Sequence, residues 1–318
     1  MTRTIILNGL RAIAAAFFAL AMGARAEQPY AITTLTADDL ARSGATHLPD
    51  ALRLTPGLDV ARINANTWAI SARGFNGQFA NKLDVTIDGR SVYSPLFGGV
   101  YWSEIDLPLD DIDRVEIVHG PTSGGGMNGT IRIYTKHSRD TAGGRVSAWA
   151  GPGDGVGTQF RYGWLPNDRL GLRLSLAHGD HQSFDAPNGG EAFDAWNDGR
   201  AGLRLDWIPD DENTLTLSGS AFDIHMRNEV PKTVSQLLRV PGRQKLYGQF
   251  AASRSTSHGG GGTLTWQHRL DDANLLVFRA NAEHIARHSD SFDDDSARYG
   301  ASIEYQTQPG AHQLRVGA

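Results

Sequence analysis

The stretch "SARGFNGQFANKLDVTIDGRSVYSP", residues 71–95, sets Gly74, Gly77 and Gly89 around one apolar alternation, Leu83, Val85 and Ile87. Asp88-Gly89 divides two β-rich runs, Asp84–Ile87 and Ser91–Tyr93, and this dipeptide favours positive φ at both central positions of a two-residue hairpin turn. Gly74 and Gly77 let the chain leave a strand sharply. On either side, the pattern predicts strands over Leu58–Ile63, Ala69–Arg73, Arg114–Val118 and Thr130–Tyr134. Val115 and Ile117 alternate in phase with Ile131 and Ile133, so both pairs belong in one apolar core, with Gly120–Gly126 looping between them. Upstream, Thr36 and Asp39 have the spacing of a helix cap, with Gly44 past the helix end, and Pro49 and Pro56-Gly57 bracket a second short helix. Residues 27–140 therefore read as a small α+β unit.

Ahead of that unit, Arg3 and Arg11 give a positive start, Ala12–Met22 is an apolar run, and Ala24-Arg25-Ala26 is a small-x-small cleavage pattern. Residues 1–26 are expected to be an export signal, with the mature chain starting at Glu27. The run is too short for a spanning helix. Mean hydropathy is negative and no second long apolar run follows. That leaves secretion, the periplasm, or a β-barrel, whose alternating strands never look apolar on average. The 318 residues contain no cysteine, which excludes disulfide staples and thiolate sites. A net charge of −5 excludes a generally basic nucleic-acid binder.

From residue 141 the period becomes two. Leu170, Leu172, Leu174 and Leu176 face one way, and Gly171, Arg173 and Ser175 the other. Ala201, Leu203, Leu205 and Trp207 likewise oppose Arg200, Gly202, Arg204 and Asp206. About nine such strands are expected over 141–318. Their connections at 166–168, 209–213, 271–274 and 308–311 are short, whereas those at 180–199, 225–260 and 288–298 are long and polar. Gly259–Gly262 lacks the lysine of a phosphate loop and reads as a hinge in one long loop. Loop length sorted by end is the pattern of an outer-membrane barrel, and a soluble sandwich has no reason for it.

The blocks "ARGFNGQFANKLDVTIDGRSVYSP", "GGVYW", "DDIDRVEIVHGP" and "NGTIRIYTK", in this order, resemble the plug domain of TonB-dependent outer-membrane receptors, closely over residues 32–136. The strand-rich half is similar to the start of that family's barrel. The resemblance implies an α+β plug followed by antiparallel transmembrane β-barrel strands, of the plugged type with about 22 strands. Residues 141–318 are then an incomplete, N-terminal portion of such a barrel, and the chain is expected to be a fragment or truncated product of a longer receptor. The family imports scarce ligands, such as iron-siderophore complexes, cobalamin or oligosaccharides, through a Gram-negative outer membrane. The TonB–ExbB–ExbD complex drives the import, and outer-membrane lipid surrounds the wall. No nucleic acid, resident cofactor or enzymatic activity is implied. "EQPYAITTLT" leaves little room for the family's TonB box, and "GPTSGGGMNGTIRIYTK" carries a shorter loop than is usual there. A periplasmic interaction or signalling module, binding a partner without transport, is the alternative.

By the same resemblance, Arg73, Gly74, Asp88, Gly89, Arg90, Arg114, Glu116, Gly120, Pro121, Asn128 and Gly129 match the motif blocks that build and charge the plug. The charged ones are expected to pair with wall residues such as Arg161 or Arg173, because buried charges need partners. Ligand contact is expected at the plug apices, through Trp68, Phe75, Asn76, Phe79, Phe97, Tyr101 and Trp102. The aromatics there either stack on a planar chelate or sugar or pack the plug itself. His178/His181 and His284/His288 are expected at loops or strand ends as solvated side chains, with no third ligand for a metal. No G-x-S-x-G nucleophile occurs, and no catalytic residue is expected.

Overall fold

In the computed structural model, residues 31–317 are described except 75, 80–81, 97, 106, 122–126, 152, 187–188, 232–249, 291 and 308–313. The expected export signal, Phe75, Phe97 and most of the loop after Gly120 lie outside the described residues.

The N-terminal unit opens with β1 (Ala31–Thr36), α1 (Ala37–Arg42) and α2 (Leu48–Ala51). Thr36 caps α1 reciprocally: its Oγ1 accepts from the Asp39 N–H at 3.2 Å, while the Asp39 carboxylate accepts from the Thr36 N–H at 3.0 Å. Pro49 sits in the first turn of α2, where its missing N–H costs nothing. Then come β2 (Leu58–Asn64), β3 (Thr67–Ala72), β4 (Leu83–Ile87), β5 (Arg90–Ser91), β6 (Ile112–His119) and β7 (Gly129–Thr135). One five-stranded sheet runs in the order β1-β6-β7-β4-β5, and β2 and β3 form a separate hairpin.

Asp88 and Gly89 have φ of 48° and 85°, and Ile87 pairs with Arg90 across them, as the dipeptide predicts. Val115 lies opposite Ile133 and Ile117 opposite Ile131, and all four are essentially inaccessible to solvent. Val85, on β4 parallel to β7, completes this layer of the core.

The second region is one nine-stranded sheet of sequential antiparallel neighbours. Its strands are β8 (Gly143–Gly151), β9 (Gly155–Asn167), β10 (Leu170–His181), β11 (Trp196–Trp207), β12 (Asn213–Pro231), β13 (Phe250–Arg269), β14 (Asn274–Ser289), β15 (Asp293–Thr307) and β16 (Leu314–Gly317). One face lies against the N-terminal unit. The other carries exposed large apolar side chains, among them Val146, Phe160, Leu174, Leu176, Leu264 and Ile303. Residues directly opposite one another make apolar rungs across this outer face, such as Leu172–Leu205–Leu217–Leu264–Ala280–Ala301. From Leu170 to Leu176 the outward positions cover about 20 Å along the strand at ~3.4 Å per residue, comparable with the roughly 25 Å apolar band of an outer-membrane wall. Among the described residues no helix is long and apolar enough to cross a membrane, which says nothing of strands.

Two expectations are corrected here. The connection expected at 288–298 is short, because β14 runs to Ser289 and β15 begins at Asp293. Polar composition there belongs to strands that extend past the apolar band. Gly259–Gly262 is likewise no loop hinge: it lies within β13, with Gly259 opposite Phe222 and Gly262 opposite Gly219. The reason at Gly261 is a close approach from the other unit, since a Cβ there would stand 2.9 Å from Arg90 Nη1.

Candidate functional site

Phe79, Tyr101 and Trp102 of the N-terminal unit meet Met226 and Arg287 of the sheet and Phe292 of the β14–β15 turn around a cavity of about 360 Å³. The long connection from β5 to β6, residues 92–111, carries Tyr101 and Trp102. The Tyr101 ring lies 5.2 Å from that of Phe79. Beneath them Glu104 is held by the wall. Arg287 donates from Nε to Oε1 at 2.6 Å and from Nη2 to Oε2 at 2.7 Å, and the Ser257 hydroxyl adds a bond of 2.7 Å. The Arg287 guanidinium also stacks 4.3 Å from the Tyr101 ring centre and donates to Asp294 at 2.5 Å. Burial pushes the Tyr101 hydroxyl well above its usual range, so it stays protonated.

The expected ligand residues fall into three settings. Phe79 and Tyr101 are half-buried on the cavity surface, while Trp102 is buried at its edge. Trp68 also lines the cavity but is only 1% exposed, with its ring 5.3 Å from His47, edge-on to Trp196, and 4.8 Å from the Arg62 guanidinium. Asn76 turns its amide inward, donating to the Asp59 and Ala69 carbonyls at 3.1 and 3.3 Å, and so ties its loop to the β2–β3 hairpin.

The motif charges also divide. Arg90 forms a buried ion pair with Glu283 of β14, and burial lowers its affinity for the proton despite that partner. Asp88 accepts from the N–H and hydroxyl of Thr135 at 2.9 and 2.8 Å and faces Arg204 of β11 at 3.7 Å. Arg114 and Glu116 pair with each other at 2.8 Å, with the guanidinium 4.0 Å from the Tyr134 ring centre, on the N-terminal unit itself. Arg73 and Gly74 turn the chain at φ of 61° and 82°, and Gly74 N–H donates to Asp59. Asn128 bonds the Ala72 carbonyl through its amide at 3.0 Å, beside Gly120 and Gly129 at φ of 126° and 154°. A Cβ on Gly129 would stand 2.6 Å from the Val118 carbonyl oxygen. Pro121 follows Gly120 on the surface.

Arg161 and Arg173 do face the N-terminal unit, but with other partners than the motif charges. Arg161 donates to the Asp110 carbonyl at 2.9 Å and approaches Asp111, and Arg173 donates to the Lys136 carbonyl at 2.6 Å. His181 is no solvated residue: it is buried in β10, stacked 3.9 Å from Trp196 and bonded to Asp198 at 2.8 Å. Glu104, Arg204, Ser257, Glu283 and Arg287 were missing from the residues singled out in the sequence. Arg204, Ser257, Glu283 and Arg287 carried the signal of a polar residue at inward phase on a strand, which names a face and no partner, whereas Glu104 lies in the connection between β5 and β6 and carried none. No group of three metal-ligating side chains occurs among the described residues.

Residues 24–130 match the family model described as TonB-dependent Receptor Plug Domain. Solved structures similar to the chain include the ferric yersiniabactin uptake receptor FyuA from Yersinia pestis, at 18% identity and a TM-score of 0.61, covering 91% of this chain and 47% of that one. The siderophore receptor PiuA from Acinetobacter baumannii is similar at 14% identity and a TM-score of 0.65, covering 91% and 45%. The copper transporter OprC is similar at 16% identity and a TM-score of 0.55, covering 92% and 56%. The chain thus spans about half the length of the structures it matches.

Proposed function

The chain carries the plug domain of a TonB-dependent receptor and, behind it, part of the β-barrel fold in which such plugs sit, and on that basis we propose that it serves active uptake of a scarce ligand across a Gram-negative outer membrane. The ligand class is a metal chelate, with an iron-siderophore complex first and cobalamin second, bound at the cavity beneath Phe79, Tyr101 and Trp102. The observation that carries the reading is the character of the seat between plug and wall. Arg90–Glu283, Arg287–Glu104 and Arg204–Asp88 hold it together. Charged groups released from such contacts are solvated again by water, so a polar seat can open and re-form where an apolar one would not. Opening on demand requires work from outside the plug, and the TonB–ExbB–ExbD complex supplies it in this reading. The rival reading, a periplasmic module, has no use for the apolar rungs on the outer face of the sheet.

The test is uptake by cells that lack other receptors and express the full-length protein, with and without TonB. Radiolabelled ferric siderophores and cobalamin are supplied singly. Uptake of at least one, abolished without TonB, is expected. Uptake of none, or uptake indifferent to TonB, overturns the proposal.

A further inference from the structure

On the outer face of the wall, the apolar rungs give way to histidine and aspartate. The rung that holds Leu176 and Ala201 is followed, away from the short turns, by His178–Gly199–Asp223–His258–Ala286–Asp295. The next rung reads Asp180–Asn197–His225–Thr256–His288–Asp293. Neither contains lysine or arginine between β10 and β15, and His284 stands one rung below, beside Gly260. A merely hydrated surface would not favour one titratable cation over the others. The side chains of His178, His225, His284 and His288 are each more than half exposed.

We propose that this belt binds phosphate-bearing lipid headgroups of the leaflet around the wall, through protonated imidazoles. The proposal rests on the outer face being lipid-facing, as the preceding reading has it. The belt is continuous with the apolar band, so it meets whatever caps the hydrocarbon there. Histidine is the side chain whose charge changes between about pH 5 and 8. Within these rungs every charged neighbour of the histidines is an aspartate. The next rung out sets Arg227 opposite Arg254, with Glu191 on Arg227 at 3.3 Å and the Asp290 carboxylate accepting from the Arg254 N–H at 3.2 Å, so its own charges cancel. His178 faces Asp180 at 3.4 Å, and its Nδ1 bonds the Asp198 carbonyl. His225 faces Asp223 at 3.5 Å, and Asp223 lies opposite His258 on β13. His284 meets Asp295 at 2.8 Å and His288 meets Asp293, both across β14 and β15. When the imidazoles are neutral, the aspartates leave the belt negative and it repels phosphate. When the imidazoles are charged, they cancel the aspartates and offer N–H donors on both ring nitrogens. Headgroup binding therefore rises as pH falls.

The experiment uses the full-length receptor in phosphatidylcholine nanodiscs and measures retention of a fluorescent phosphatidylglycerol, whose phosphodiester keeps one negative charge at both pH values, with a fluorescent phosphatidylcholine as control. Retention is expected to be about fivefold tighter at pH ~5.5 than at pH ~7.5, the effect of about one effective positive charge at an anionic surface. The control lipid should not respond. A variant carrying H225Q, H258Q, H284Q and H288Q should insert normally and lose the rise. Equal retention at both pH values, a rise that persists in the variant, or a rise abolished by EDTA would overturn the proposal, the last assigning the contact to cations bridged by aspartate. Failure of the wild-type protein to enter phosphatidylcholine nanodiscs would overturn the barrel reading and this inference with it.

Discussion

Arg287 of the wall grips Glu104 of the plug through two parallel N–H···O bonds, with the two side chains only 5% and 3% exposed. Removing Glu104 strips two charge-assisted bonds from a buried guanidinium and leaves it Asp294, and removing Arg287 leaves Glu104 the Ser257 hydroxyl. Glu104→Ala should therefore cost about 1–3 kcal/mol in seating the plug, whereas Glu104→Leu combined with Arg287→Met should recover much of it. Cells expressing the single variant of the full-length protein should become sensitive to large antibiotics, and those with the double variant less so. Equal sensitivity in both would mean that the pair is not what holds the plug there.

Phe79 and Trp68 both border the apical cavity, but they should answer differently to truncation. Phe79 is half-buried on its surface, so Phe79→Ala should weaken ligand uptake with little effect on stability. Trp68 is packed among His47, Trp196 and Arg62, and Trp68→Ala should destabilise by about 3–5 kcal/mol. Thermal unfolding and uptake, measured on both variants, check the split.

Gly89 holds the second position of the hairpin turn at φ 85°, and a Cβ there would also meet the Arg279 side chain at 3.3 Å. Gly89→Val should cost roughly 1–3 kcal/mol locally and loosen the β4–β5 register. The expected readout is a leaky pore with reduced uptake and a barrel that still inserts. Unchanged permeability together with unchanged uptake would remove this turn from the account.

His137, on the segment that joins plug to wall, is held below its ordinary 6.5 by burial, which outweighs the attraction of Asp206 at 3.3 Å. The folded protein therefore resists taking the proton that the unfolded chain accepts. Stability should fall as pH drops below about 6.5 and level off once the folded-state value is passed. Part of the acid-induced drop in Tm should disappear in His137→Gln. An identical drop in the variant would assign the effect to other groups.

Much of this architecture was legible in local chemistry. Asp88-Gly89 announced its turn, Thr36 and Asp39 their cap, and Leu170 to Leu176 the face that a strand turns outward. What stayed hidden depends on partners far along the chain. Periodicity marked Arg161 and Arg173 as inward, yet it could not say that they would take Asp110, Asp111 and the Lys136 carbonyl while Arg90 took Glu283. Gly259–Gly262 misled for a related reason. Glycine usually signals a bend, and here it sits inside a strand: Gly261 is bare so that the Arg90 guanidinium fits against it, while a Cβ at Gly259 or Gly260 would meet the backbone of a neighbouring strand. His181 was read as solvated because nothing near it in sequence reveals Trp196 and His47 closing over it.

The Arg90 socket has a consequence in time. Its acidic partner lies 193 residues later in the chain, and the partners of Glu104 lie 153 and 183 residues later. A chain made from its N-terminus therefore presents a finished set of hooks long before any wall exists to take them. Contacts of such sequence separation form slowly, after local hairpins are in place. The stopper is first off the ribosome and last to be locked, and until β13 and β14 arrive its buried guanidinium and carboxylate remain in water.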